Sequence, residues 1–311
     1  MERVDEAYAI RRYQQAAALL PLRWQRLCRQ VPEEQQAEAE ELRLRAGQTL
    51  TLLLRGGEVP AARERPYPVV TQTELEQLCD GVTDYSRYAA ADTLSRGYLT
   101  ARGGFRIGVC GTAVLRDGVN TNLRDISSVT IRIAREQPGL STEVLPQLFR
   151  EGRFWNTLIL SPPGGGKTTL LRDLVRCLST GGETAPQRMA LIDERGEVAV
   201  VYRGEPQMDV GPHTDVLDAC PKALGIPMVL RAMNPQIIAV DEITQPEDLR
   251  AMALACGCGV GLLATIHAGD VSELEEKPLY RQLLSDRVFR QALRNLRTEE
   301  GRTYQVEDLP W

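Results

Sequence analysis

Several groups of residues in this 311-residue chain have the types and spacing to do chemistry, and the most telling is Ser161-Pro162-Pro163-Gly164-Gly165-Gly166-Lys167-Thr168-Thr169. Glycines in such a run let backbone N–H groups converge on phosphate oxygens. The apolar run Leu158-Ile159-Leu160 precedes it, and Leu170, Leu171, Leu174, Val175 and Leu178 follow at the spacing of one helix face. A strand, a glycine turn and a helix opening at Lys-Thr form the context in which a phosphate loop works. The helix N-terminus there adds unpaired donors and the positive end of its dipole. Pro163, Gly164, Gly165, Gly166, Lys167, Thr168 and Thr169 are therefore the expected nucleotide-binding set. Lys167 is expected at the β- and γ-phosphates of ATP, and the Thr168 hydroxyl at Mg²⁺. The pattern G-x-x-x-x-G-K-[ST] is met except at its first position, which here is Ser161.

A triphosphate site also needs carboxylates at strand ends, one for Mg²⁺ and one to polarise the attacking water. Ile237-Ile238-Ala239-Val240-Asp241-Glu242 supplies both, with Asp241 expected at the metal and Glu242 as base. Met189-Ala190-Leu191-Ile192-Asp193-Glu194 ends in a second acidic pair. Asp193 is a further expected metal ligand, and Glu194 competes with Glu242 for the base role. His267 follows the apolar run Gly261–Ile266 and is expected to sense the γ-phosphate or couple it to a neighbouring subunit. Arg102, Arg106, Arg124, Arg132 and Arg135 lie well upstream. Arg132, between Ile131 and Ile133, must leave the strand on the face opposite those two. Arg106, Arg132 and Arg135 are candidates for donating charge to phosphates.

The elements that would position these groups are legible from pattern. Beyond the phosphate loop, short continuous apolar runs alternate with helical spacing, as buried parallel strands and crossover helices do. The fold class expected is α/β, a RecA-like P-loop core with a mostly parallel sheet, behind a smaller α+β N-terminal domain. The boundaries expected are 1–135 for the N-terminal domain, 136–153 for a connector with a short helix, and 154–311 for the C-terminal domain. In the first part, residues 5–30 predict one or two helices, 41–54 a hairpin, and Thr71-Gln72-Thr73-Glu74 a capping box opening a helix to about Gly81. Glycine-punctuated strands follow from Tyr98, the last over Ile126–Ala134. Thr244 and Glu247 predict a second capping box.

Apolar content of 43% and charged content of 25% are those of a globular protein, and the net charge of −5 gives no global field toward nucleic acid. No run approaches the roughly 18 apolar residues of a membrane span, and the first residues, MERVDEAYAIRR, lack a signal peptide's apolar core. The expected location is cytoplasmic, peripheral at a membrane. Seven scattered cysteines argue against a disulfide framework. Cys256-Gly257-Cys258 lacks the spacing of a zinc site.

The order of these motifs resembles the secretion ATPases of type II and type IV systems and the pilus-retraction motors. Within that superfamily, GGFRIGVCGTAV, SSVTIRIAR, LIDERGEVA, the stretch from Asp209 to Ile243 and ATIHAGDVSEL are most similar to the stage III sporulation protein AA family of endospore formers. The resemblance implies an ATPase in a hexameric ring, docked on a membrane channel between mother cell and forespore, on the mother-cell side. It implies nucleotide held between the N- and C-terminal domains, with arginines supplied from the N-terminal side. Lys167, Thr168, Asp241 and Glu242 match the nucleotide and Mg²⁺ positions, Asp193 and Glu194 an acidic box, His267 a histidine box, and Arg106, Arg132 and Arg135 the phosphate-contacting arginines. Two alternatives stand beside this reading: a RecA-like nucleic-acid translocase, against which the charge counts, and a slow nucleotide-gated scaffold.

Overall fold

The computed structural model describes residues 2–84, 90–182, 184–298 and 301–309, and the chain divides into two compact units. Unit one comprises Met1–Arg135 with Tyr202–Gln207, and unit two comprises Glu136–Val201 with Met208–Trp311. Residues 136–153, read from sequence as a connector, cluster with the second unit, and six residues from within the C-terminal part cluster with the first.

The first unit runs α1 (Glu2–Ala17), α2 (Leu22–Cys28), α3 (Glu33–Glu38), β1 (Glu41–Arg45), β2 (Thr51–Leu54), β3 (Gly57–Pro60), α4 (Gln72–Val82), α5 (Ala91–Ser95), β4 (Tyr98–Ala101), β5 (Phe105–Arg116) and β6 (Val119–Arg132). Its strands form an antiparallel sheet in the order β3-β2-β1-β6-β5-β4. Period-2 alternation selects the core face: Leu42 and Leu44 on β1, Phe105, Ile107 and Val109 on β5, Val129 and Ile131 on β6 are all buried. Tyr13, Trp24, Leu75 and Leu78 belong to the same apolar cluster. The capping box at the start of α4 is present: Thr71 Oγ1 accepts from Glu74 N–H, and Glu74 Oε2 from Thr71 N–H.

β6 begins seven residues before the strand that sequence predicts at Ile126, because β5 and β6 continue beyond the core as an exposed ribbon. At Gly111 the pairing slips by a bulge, and a Cβ there would lie 2.6 Å from Arg124 O, so only glycine fits. Residues 202–207 join this unit through Gln207, whose Oε1 accepts from Gly103 N–H at 2.7 Å, and through Tyr202 Oη, which donates to Asp84.

The second unit holds a 3₁₀ turn (Leu145–Leu148), β7 (Phe149–Arg150), β8 (Arg153–Phe154), β9 (Thr157–Leu160), α6 (Lys167–Thr180), β10 (Met189–Asp193), β13 (Thr214–Asp218), α7 (Lys222–Ala232), β14 (Ile237–Val240), α8 (Pro246–Gly257), β15 (Gly261–Ile266), α9 (Glu273–Glu276), α10 (Pro278–Ser285), β16 (Gln291–Thr298) and β17 (Gly301–Asp308). Between β10 and β13 runs a two-strand ribbon of β11 (Val201–Tyr202) and β12 (Glu205–Pro206). The main sheet has the order β13-β10-β14-β15-β9-β16-β17, parallel throughout except for β16 with β17.

β9, β10 and β14 are buried at every residue, the state of parallel strands covered on both faces. Alternation splits their side chains between two cores. Leu158, Ile192, Val240 and Ile266 pack with α7, α8 and α10, whereas Ile159, Leu191, Ala239 and Leu263 pack with α6. All five apolar positions of the predicted α6 stripe are buried. The capping of α8 differs from the sequence expectation. Pro246, which has no N–H, takes the first helical position, so the chain is anchored by Asp248, which accepts from Thr244 and Gln245 N–H, in place of Glu247.

Candidate active site

The glycine-rich turn leaves the carboxyl end of β9 with Ser161 fully buried. Gly164 and Gly166 hold φ of +73° and +91°, where a side chain is strained. Gly165 has no such φ, but a Cβ there would fall 2.1 Å from Ser161 Oγ, so the hydroxyl at the departing first position demands glycine four residues on. Gly166 caps α6, whose first turn carries no acidic residue, leaving the positive helix end open to an anion. Two residues of the C-terminal hairpin lie against the turn. Asn295 Nδ2 donates to Gly165 O at 2.7 Å, and a Cβ on Gly166 would lie 2.8 Å from the Arg302 guanidinium. Sequence reading missed both, since the only signal was the alternation of QALRNLRT and RTYQVED about Gly301.

Because β9, β15, β14 and β10 are neighbours in register, their carboxyl ends gather the predicted side chains. Lys167 Nζ lies 2.9 Å from His267 Nε2 and 3.5 Å from Glu242 Oε2. Lysine is an obligate donor, so Nε2 accepts and the ring proton is assigned to Nδ1, which is buried without a hydrogen-bond partner among the described residues. His267 Nε2 is 3.3 Å from Glu242 Oε1. Thr168 Oγ1 donates to Asp241 Oδ2 at 3.2 Å.

Thr265, fully buried on β15, is a positioning residue to which the sequence reading assigned no role. Its hydroxyl donates to Asp241 Oδ1 at 2.7 Å and accepts from Glu242 N–H at 2.8 Å. Glu242 itself holds φ of +42°, a conformation that costs about 1–2 kcal/mol for a residue other than glycine.

The acidic pair at the end of β10 is employed differently. Asp193 is fully buried and its carboxylate accepts from the N–H groups of Glu197, Val198 and Ala199 at 2.8–3.0 Å. Burial raises its pKa, the three amides act against that rise, and the Asp241 charge adds to it. The side chain that sequence proposed for a metal thus ties down its own turn, while Thr168 and Asp241 are the pair brought together. Glu194 pairs with the buried Lys222 of α7. From α6, Arg172 donates to Val198 O and Glu197 O at 2.6 Å, fixing the same turn. The turn carries Arg195, whose Nη1 lies 2.8 Å from Glu242 Oε2.

Arg106, Arg132 and Arg135 belong to the first unit. Arg106 stacks over the Tyr98 ring at 4.2 Å, Arg132 lies exposed 3.4 Å from Glu41 Oε1, and Arg135 donates to Ala39 O at 2.8 Å. Ile131 and Ile133 are buried, so Arg132 does leave the opposite face.

Among the described residues no three His, Cys, Asp or Glu side chains gather to cage a metal. A hydroxyl and one carboxylate side by side suit Mg²⁺, which is commonly held by one or two protein oxygens together with substrate phosphates. No described helix is long and apolar enough to cross a membrane.

A parallel sheet with a glycine loop at one strand end and acids at its neighbours, preceded in the chain by an antiparallel α+β unit, defines the class: a RecA-like P-loop fold. The solved ATPase DotB of Legionella pneumophila shares that fold, with a TM-score of 0.60 and 18% identity over 93% of this chain and 80% of that one. So does the pilus retraction motor PilT with bound ADP, at a TM-score of 0.59 and 17% identity over 88% and 80% of the two chains. Within the class, residues 10–307 match the family described as sporulation stage III, protein AA, and the chain belongs to that family. Stage III sporulation protein AA of Bacillus subtilis (strain 168) is 38% identical over 274 residues, covering 88% of this chain and 87% of the relative.

Proposed function

We propose that this chain is a Mg²⁺-dependent ATPase, the motor of a secretion-like channel used in endospore formation. The observation that carries the reading is the convergence of Lys167, Thr168, Asp241, Glu242 and His267 at the ends of three neighbouring strands. In it, residues 163–169 cradle the phosphates, with Lys167 at the β- and γ-phosphates. Thr168 and Asp241 would hold Mg²⁺, which supplies charge neutralisation at the phosphates when bound. Glu242 takes the proton of the attacking water. Glu194 is the weaker candidate for that task, because it pairs with Lys222 of α7, whereas Glu242 lies beside Lys167 of the phosphate loop. Asp193 supports the site by shaping the turn after β10. His267 reports on the γ-phosphate through Lys167 and Glu242. Arg106, Arg132 and Arg135 are assigned to phosphates in an assembled ring, in keeping with the resemblance to hexameric secretion ATPases. The family's sporulation role supports placing the chain at the periphery of a membrane channel on the mother-cell side.

The test compares wild type and Glu242→Gln for ATP binding, hydrolysis and mass by light scattering across protein concentration. Glu242→Gln is expected to bind ATP within a few-fold of wild type and to lose hydrolysis by a factor on the order of 10²–10⁴. Wild-type hydrolysis is expected to rise with assembly. A fully active monomer, or hydrolysis that survives the substitution, refutes the motor reading. Stimulation by single-stranded DNA would favour a nucleic-acid translocase in its place.

A further inference from the structure

Arg195 lies outside the phosphate loop and both acidic pairs, yet its guanidinium is 2.8 Å from the carboxylate assigned as the base. We infer that Arg195 is a γ-phosphate-dependent switch: it holds Glu242 when no triphosphate is present and moves to the γ-phosphate when one binds. The inference rests on the ATPase reading above and assigns within it a cation supplied by the same chain.

Three observations carry it. First, Glu242 Oε2 is shared by Lys167 at 3.5 Å and Arg195 at 2.8 Å, so both cations meet at one carboxylate oxygen. Lys167 is the residue expected at the γ-phosphate, and a cation aimed at the same oxygen is within reach of the same anion. Second, the backbone under Arg195 is fixed while its side chain reaches solvent. Asp193 binds three amides of the turn, Asp193 O accepts from Gly196 N–H at 3.2 Å, and Arg172 grips the turn from α6. The Arg195 side chain is nevertheless 53% exposed, against 15% for Glu242. An exposed ion pair contributes little to folding, so the contact is poorly explained as a stability device. Third, Oε2 of Glu242 is occupied by Arg195 and Lys167 and Oε1 lies 3.3 Å from His267 Nε2, so a partner must leave before the carboxylate can meet the attacking water. A γ-phosphate, with more charge and three oxygens, out-competes the carboxylate for a planar five-donor fork.

The chemical step balances. The water oxygen bonds to the γ-phosphorus as the bond to the β–γ bridging oxygen breaks, and ADP keeps that electron pair. The water proton passes to Glu242, and Arg195 faces the charge accumulating on the transferred group.

The discriminating measurement is calorimetric titration of the full chain with Mg²⁺ and either ADP or the imido analogue of ATP, for wild type, Arg195→Gln and Arg195→Lys, together with steady-state hydrolysis. Arg195→Gln is expected to bind ADP within about twofold of wild type, which also reports an intact fold. It should bind the triphosphate analogue roughly tenfold more weakly and lose about 10²-fold in kcat. Arg195→Lys should recover part of the analogue affinity. Equal effects on ADP and the analogue, or no effect on either, overturn the switch. So does a kcat that is unchanged or raised in Arg195→Gln, which would make Arg195 a restraint alone. Wild type that binds neither nucleotide sinks the ATPase reading itself, a result separable from all of these.

Discussion

Replacing Thr265 with valine keeps the shape of a fully buried side chain and removes one oxygen, and that oxygen is the joint on which both strand-end acids depend. Two groups lose their partner: the N–H of Glu242, bonded at 2.8 Å, and Oδ1 of Asp241, bonded at 2.7 Å. Leaving a buried donor unsatisfied costs about 1–3 kcal/mol, and losing a hydrogen bond to a charged group about 1.5–3 kcal/mol. Asp241 keeps Thr168 Oγ1 on its other oxygen, and it is 8% exposed, so some rehydration offsets the loss. The net expectation is a destabilisation of about 2–4 kcal/mol. Thr265→Ser is the control, because it keeps both hydrogen bonds and deletes one buried methyl, at about 1 kcal/mol. The two variants are compared by urea unfolding followed by circular dichroism. Hydrolysis is measured beside it, because the freed Glu242 can leave its φ of +42° and swing off Lys167. Thr265→Val should lose at least tenfold in kcat, whereas Thr265→Ser stays within a few-fold of wild type. If the two variants unfold within about 0.5 kcal/mol of each other and hydrolyse ATP equally, the hydroxyl is not the joint described here.

Gly166→Ala puts a Cβ at φ +91° and 2.8 Å from the Arg302 guanidinium. It should cost about 1–2 kcal/mol in unfolding experiments and weaken ATP binding about tenfold by calorimetry, and wild-type values for both would show that the loop tolerates a side chain. Asp173 on α6 is 3% exposed and accepts from Gly139 N–H, Ser141 N–H and Oγ, and Arg176. Burial raises its pKa, but the Ser141, Arg176 and Gly139 contacts outweigh it and leave the carboxyl below its usual value. A folded pKa below the unfolded one stabilises at neutral pH and is lost as pH falls from about 4 through the folded value. Asp173→Asn should therefore be less stable than wild type at pH 7, by about 3 kcal/mol. That gap should narrow in acid denaturation, and a gap independent of pH would contradict the assignment.

Much of this molecule is legible in the sequence because the signals are local. The strand, glycine turn and helix from Thr157 to Leu178 share one short segment, and the α6 stripe repeats with the helix period, so both could be read without knowing what lies beside them. The same holds for the apolar runs of β10, β14 and β15 and for the capping box at Thr71. β13 escaped notice because it is an edge strand of mixed exposure, TDVLD, without a continuous apolar run. β16 and β17 escaped because their polar residues leave no continuous apolar run, and Asn295 is turned to the phosphate loop.

Other features depend on strand order, which adjacent residues do not encode. Two acidic pairs, Asp193-Glu194 and Asp241-Glu242, end similar apolar runs and look alike in sequence. Only the placement of β14 beside β15 sets Glu242 against Lys167 and His267, while the turn after β10 gives Asp193 three backbone amides and α7 gives Glu194 a lysine. A carboxylate's role is set by the partners within a few ångströms, and here those partners come from residues up to a hundred positions away in the chain.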